Sequence, residues 1–185
     1  MQPTEVILGA LEAHVRSNRT LVVFIVVTIA MMGAGLRART QNDQAKLKPP
    51  TVLFICPHGA AKSVLASAYF EQQARARGLN VRVESAGTEP DPTVSPAVVA
   101  HLKRQGYPVP SSSPRKVTSK DFESADVVIS IGCDLSGLPV PRGKLVRWDE
   151  VPSPSEDFAR ADEAIRKRVT DLIEELVQAR AGKKK

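Results

Sequence analysis

From Thr51 onward the apolar positions follow two alternating rhythms. Thr51-Val-Leu-Phe-Ile is an unbroken run of strand formers, as expected of a strand covered on both faces. Residues 63–78 switch to helical spacing, with Val64, Leu65, Ala68 and Tyr69 on one side and Gly78 as the stop. Residues 80–86 alternate as a strand does. The stretch 95–106 has a serine cap, a proline at the first helical position and a terminal glycine. A Pro/Ser-rich loop over 107–116 and a short helix near 119–125 follow. Residues 126–132 read as a buried strand and 144–148 as a shorter one. The longest helix is predicted over 156–181, with Ile165, Val169, Leu172, Ile173 and Leu176 as its core stripe. This alternation predicts an α/β domain over residues 51–182, a three-layer sandwich around a four-stranded parallel sheet. Ligands in such sheets bind beyond the carboxyl ends of the strands. Cys56 and Cys133 both fall there.

The first fifty residues have another pattern. Residues 1–19 read as a leader, with apolar side chains at roughly helical spacing over 4–15. Residues 20–36 are 17 positions without a charge, at the lower limit for a spanning helix. Arg16 and Arg19 precede the run, while Arg37, Arg39, Lys46 and Lys48 follow it. That bias predicts a single-pass anchor in the cell membrane with the C-terminal side cytoplasmic. The alternatives are a cleaved export signal ending near Gly33-Ala34-Gly35, or a start at Met31 or Met32 that leaves a cytoplasmic protein. Polar residues 37–50 read as a linker, and Lys183–Lys185 as a solvated basic tail.

Charge changes this picture little. The chain has 185 residues and a net charge of +6, but six of its 26 basic and three of its 20 acidic residues lie before Thr51. Three more bases form the tail, so the body is near neutral and no nucleic-acid partner is expected. The two cysteines have no CxxC spacing or histidine cluster, so no metal site is predicted.

The candidate chemistry sits where the first strand ends. Cys56-Pro57-His58-Gly59-Ala60-Ala61-Lys62-Ser63 reads as a strand, a loop the size of a phosphate, and a helix start. Successive backbone amides and the positive end of a helix attract anions. With Lys62 nearby, the same field favours a nucleophilic thiolate at Cys56. His58 adjoins the thiol, either as a proton donor or as added positive charge. His101 falls mid-helix at a surface position, and Trp148 either walls the pocket or packs in the core.

This segment resembles the low-molecular-weight protein tyrosine phosphatases and the related thioredoxin-coupled arsenate reductases, which carry Cys-x5-Arg-Ser directly after the first strand. The resemblance extends to Ser85-Ala86-Gly87-Thr88, to the strand ending at Cys133, and to residues 148–154. It implies that Cys56 is the nucleophile, that Ser63 hydrogen-bonds its thiolate, and that the backbone of Pro57, His58, Gly59, Ala60, Ala61 and Lys62 holds the oxyanion. Three positions depart from it. Lys62 stands for the arginine and lacks its two-pronged grip. Ser153 stands where an Asp-Pro general acid is expected, leaving Asp149, Glu150 or Asp157 as substitutes. Ala61 stands where a second loop cysteine is often found.

The resemblance implies a cysteine enzyme attacking a phosphomonoester of the phosphotyrosine class, through a phosphocysteine and without a cofactor. It equally implies an alternative, arsenate reduction through Cys56 and Cys133. That reaction needs thioredoxin or a low-molecular-weight thiol as reductant. Cys133 also reads as a plain buried packing residue. A third reading is an oxyanion sensor that binds without efficient turnover. The partners expected are accordingly a phosphoprotein or a small oxyanion.

Overall fold

The computed structural model describes residues 49–140 and 145–182. They form strands β1 (Thr51–Cys56), β2 (Arg82–Gly87), β3 (Val127–Ser130) and β4 (Leu145–Arg147), and helices α1 (Lys62–Ala76), α2 (Pro96–Arg104), α3 (Ser119–Ser124) and α4 (Phe158–Gly182). The strands pair in parallel in the order β2-β1-β3-β4. This is the expected α/β fold with its four-stranded parallel sheet. β1 lies inside the sheet with all six residues buried. A strand covered on both faces has no solvent side to mark with polar residues, hence its unbroken apolar run.

The two faces are covered unequally. Val52, Phe54 and Cys56 join Val64, Leu65, Val98, Leu102, Ile165, Val169 and Ile173 in one large core, so α1, α2 and α4 share that side. Leu53, Ile55 and Val128 share a smaller core with Ala86, Phe122 of α3, Ala125 and the loop residues Val117, Cys133 and Leu135, with Val140 and Leu145 packed against it. Trp148 is 2% exposed and its ring lies 5.8 Å from that of Phe54. It is core.

One surface expectation is corrected. His101 is nearly buried, with Nε2 3.1 Å from Tyr69 Oη, 3.2 Å from an Arg166 nitrogen and 3.3 Å from the Asp162 carboxylate. Arg166 also lies over the Tyr69 ring and donates to Tyr107 Oη. The Tyr69 hydroxyl donates to Asp162. Burial, then the hydrogen bond to Asp162, pushes the Tyr69 phenol's pKa well up. A polar residue buried among complementary charges is satisfied without solvent.

The membrane placement is also corrected. Among the described residues no helix is long and apolar enough to cross a membrane. Residues 20–36, on which that expectation rested, lie outside the described residues, as do the leader and the terminal lysines. Seventeen helical residues measure about 25 Å, short of a hydrocarbon core of about 30 Å.

Residues 115–118 tie the strand ends together. Arg115 reaches both Glu84 (2.8 Å) and Asp121 (2.9 Å), and Asp121 accepts from the Thr118 amide and hydroxyl. Partial burial opposes ionisation of Asp121, but these hydrogen bonds hold its carboxyl below the usual carboxylate range. A depressed folded value stabilises above the unfolded carboxylate's range near pH 4 and is lost as pH falls through the folded value. Asp121→Asn is therefore expected to cost about 1 kcal/mol at pH 7. In urea titrations the gap to the parent should close as pH falls well below 4.

Candidate active site

The loop between β1 and α1 is shaped from outside. The carbonyls of Cys56, Pro57, His58 and Ala60 accept from the amides of Thr88 (3.3 Å), Glu89 (2.8 Å), Asp91 (3.0 Å) and Ser95 (3.0 Å). In a trans peptide the carbonyl of one residue and the N–H of the next point opposite ways. Holding the carbonyls outward therefore turns the amides of His58, Gly59 and Ala61 into the hollow. Among the described residues, no backbone carbonyl takes up the amides of 58–62. Pro57 has no N–H to give, so its expected part in oxyanion binding is corrected to a steric one.

Two glycines make this possible. Gly59 has φ +61°, a conformation that costs residues with a Cβ. It also presses on Gly87: a Cβ on Gly59 would lie 2.8 Å from the Gly87 nitrogen, and one on Gly87 would lie 2.7 Å from the Gly59 nitrogen. Gly87 is fixed from its other side by backbone bonds to Arg115 and Val117.

Cys56 lies at the floor, 2% exposed, with Sγ 3.2 Å from Ser63 Oγ. Ser63, fully buried in the first turn of α1, is therefore in place to donate to the ionised sulfur. Lys62 lines the same cavity. Its Nζ rests against Gly132, where an added Cβ would lie 2.7 Å from it.

Cys133 is differently placed. Its thiol lies 3.3 Å from Ser130 Oγ and 3.7 Å from the Ile55 carbonyl, in the core layer opposite that of Cys56. Both cysteines are free. Burial pushes the Cys133 thiol's pKa up, and the nearby Cys56 adds to this. Asp134 next to it accepts from the Ser136 amide and hydroxyl, and those bonds lower its carboxyl's pKa.

The hollow opens into a cavity of about 480 Å³, within the range of small-molecule sites. Pro57, Ala97, Pro154 and Phe158 supply apolar walls, and Ser153 and Ser155 face in as a hydroxyl pair 2.7 Å apart. None of the three carboxylates expected to replace the missing acid lines it. Asp149 pairs with Arg147, Glu150 with Arg168, and Asp157 caps the start of α4. The cavity does contain Asp91, absent from the sequence reading, with Oδ1 3.4 Å from His58 Nδ1. Its only sequence signal is its place shortly after Ser85-Ala86-Gly87-Thr88.

A parallel α/β sheet with a thiol beneath a cup of amides at a helix start defines a class of cysteine enzymes that handle tetrahedral oxyanions. The chain belongs to the superfamily of low-molecular-weight protein tyrosine phosphatases and arsenate reductases, and over residues 51–137 it matches the family model for low molecular weight phosphotyrosine protein phosphatase. It is 28% identical over 127 residues to a putative arsenate reductase of Halobacterium salinarum, covering 66% of this chain and 89% of that one. An arsenate reductase structure from Archaeoglobus fulgidus is 30% identical, with 66% of this chain and 98% of that chain covered and a TM-score of 0.53. The thioredoxin-dependent arsenate reductase of Corynebacterium glutamicum is 27% identical, with coverages of 75% and 67% and a TM-score of 0.63.

Proposed function

We propose that the protein is a cysteine-dependent phosphomonoester hydrolase of the phosphotyrosine class. The observation that carries this reading is the cavity above Cys56. At about 480 Å³ with apolar walls, it is far larger than a five-atom oxyanion needs and has room for an aryl group. Cys56 Sγ attacks phosphorus, the S–P bond forms, and the ester P–O bond breaks as the leaving oxygen gains a proton. Water then attacks the phosphocysteine, forming P–O and breaking P–S, gives up its proton, and leaves phosphate and the thiolate. The amides of His58, Gly59, Ala60 and Ala61 hold the non-bridging oxygens. Lys62 offsets their charge, and the Ser63 hydroxyl steadies the sulfur. Lysine acts here as a point charge, a weaker clamp than a guanidinium fork.

Arsenate reduction is the second reading, supported by relatives at 27–30% identity bearing that name and by a second thiol one strand away. In that reaction Cys56 binds arsenate with loss of water, and Cys133 attacks the Cys56 sulfur. Two electrons pass to arsenic, arsenite leaves, and a Cys56–Cys133 disulfide remains for thioredoxin or a small thiol to reduce. Against it, the Cys133 thiol faces the opposite layer, so residues 132–135 must turn before the two sulfurs meet.

The full chain, assayed with p-nitrophenyl phosphate and then with arsenate plus dithiothreitol or thioredoxin, separates the readings. Cys133→Ser is expected to retain most of its phosphate release. Arsenite formed by the parent and lost in Cys133→Ser would replace the hydrolase reading with the reductase. Phosphate binding with neither activity would leave an oxyanion-binding protein.

A further inference from the structure

When the ester bond breaks, the leaving oxygen must acquire a proton, and a phenoxide of ordinary pKa about 10 needs one in the transition state. Four ionisable side chains line the cavity among the described residues: Cys56, His58, Lys62 and Asp91. Cys56 is the nucleophile at the floor. Lys62 has its Nζ against Gly132, a residue outside the cavity lining. His58 and Asp91 sit at the mouth, with side chains 63% and 51% exposed, where Cys56 is 2% exposed. In-line displacement puts the leaving oxygen opposite the sulfur, on that outer side.

The two residues are tied twice. The Asp91 amide donates to the His58 carbonyl at 3.0 Å, and the Asp91 carboxylate lies 3.4 Å from Nδ1. The backbone tie sets the spacing whatever the side chains do. A carboxylate facing Nδ1 selects the tautomer in which Nε2 is the nitrogen left to exchange a proton with substrate. Imidazole is the side chain suited to both giving and taking a proton near neutral pH. The hydroxyls of Ser153 and Ser155 are not.

We propose that His58 is the proton carrier of this site and that Asp91 is its positioning residue. This inference rests on the hydrolase reading. In the first step imidazolium Nε2–H protonates the leaving oxygen as S–P forms and P–O breaks. In the second, the neutral imidazole takes a proton from the water that attacks phosphocysteine, and P–S breaks to return the thiolate. The imidazolium is restored, with one water consumed per ester.

The test compares kcat/KM for phenyl phosphate, whose leaving group needs a proton, with 2,4-dinitrophenyl phosphate, whose leaving group does not. His58→Gln is expected to lose about 10²-fold on phenyl phosphate and much less on the dinitrophenyl ester. Asp91→Asn should move the ratio the same way by a smaller factor. A purely structural role would depress both substrates equally. An unchanged ratio in both variants, with turnover still dependent on Cys56, overturns the role of His58 and leaves the hydrolase reading intact. No turnover of either ester by the parent, or turnover that survives Cys56→Ser, overturns both.

Discussion

Cys56→Ser is expected to lose about 10⁴-fold or more of its p-nitrophenyl phosphate turnover while still binding inorganic phosphate. Removing the sulfur removes the atom that forms the intermediate. A serine hydroxyl is far harder to ionise, so the surrounding amides and Lys62 have little negative charge to stabilise. The cup that would hold phosphate is built from main-chain groups of residues 58–62, and the substitution leaves these in place. Calorimetric titration with phosphate and a rate assay on the same sample check both halves. Activity within tenfold of the parent would mean that another group makes the bond to phosphorus.

The second large effect concerns stability. Gly59→Ala is expected to destabilise the fold by about 2–5 kcal/mol, combining a left-handed backbone cost of about 1–2 kcal/mol with overpacking of about 1–3 kcal/mol. The clash is with backbone, since the new Cβ would stand 2.8 Å from the Gly87 nitrogen and 3.1 Å from its Cα, and neither is a flexible side-chain end. Against a typical domain stability of about 5–15 kcal/mol this is a large fraction. Gly87→Ala meets the same wall from the other side, its Cβ 2.7 Å from the Gly59 nitrogen and 2.9 Å from the Pro57 carbonyl oxygen. Gly87 has no positive φ among the described glycines, so its cost should be the smaller. Urea denaturation of both variants checks the order. Equal, near-zero losses would show that the loop yields easily and is not held as described.

What was legible in the sequence was what is local. Residues 51–63 hold strand, thiol, loop and helix start in one segment, so the apolar run and the Cys56–Ser63 spacing were enough to place them. Asp91 was missed because it meets His58 only when the 88–95 segment docks on the loop, which no periodicity reports. His101 was misread for a similar reason: its partners Asp162 and Arg166 lie on α4, some sixty residues later. Cys133 shows how one backbone angle can defeat a strand pattern. Ile129 and Ile131 share the core of Cys56, and simple alternation would carry Cys133 to that side. Gly132, at φ +60°, breaks the alternation and delivers the thiol to the other layer.

The four outward carbonyls of the loop are latched by amides more than thirty positions downstream. The octapeptide therefore owns the chemistry but not its shape. Cut out or grafted elsewhere, it would lose the scaffold that turns its amides inward, while a change in residues 88–95 can disarm the sulfur without touching it.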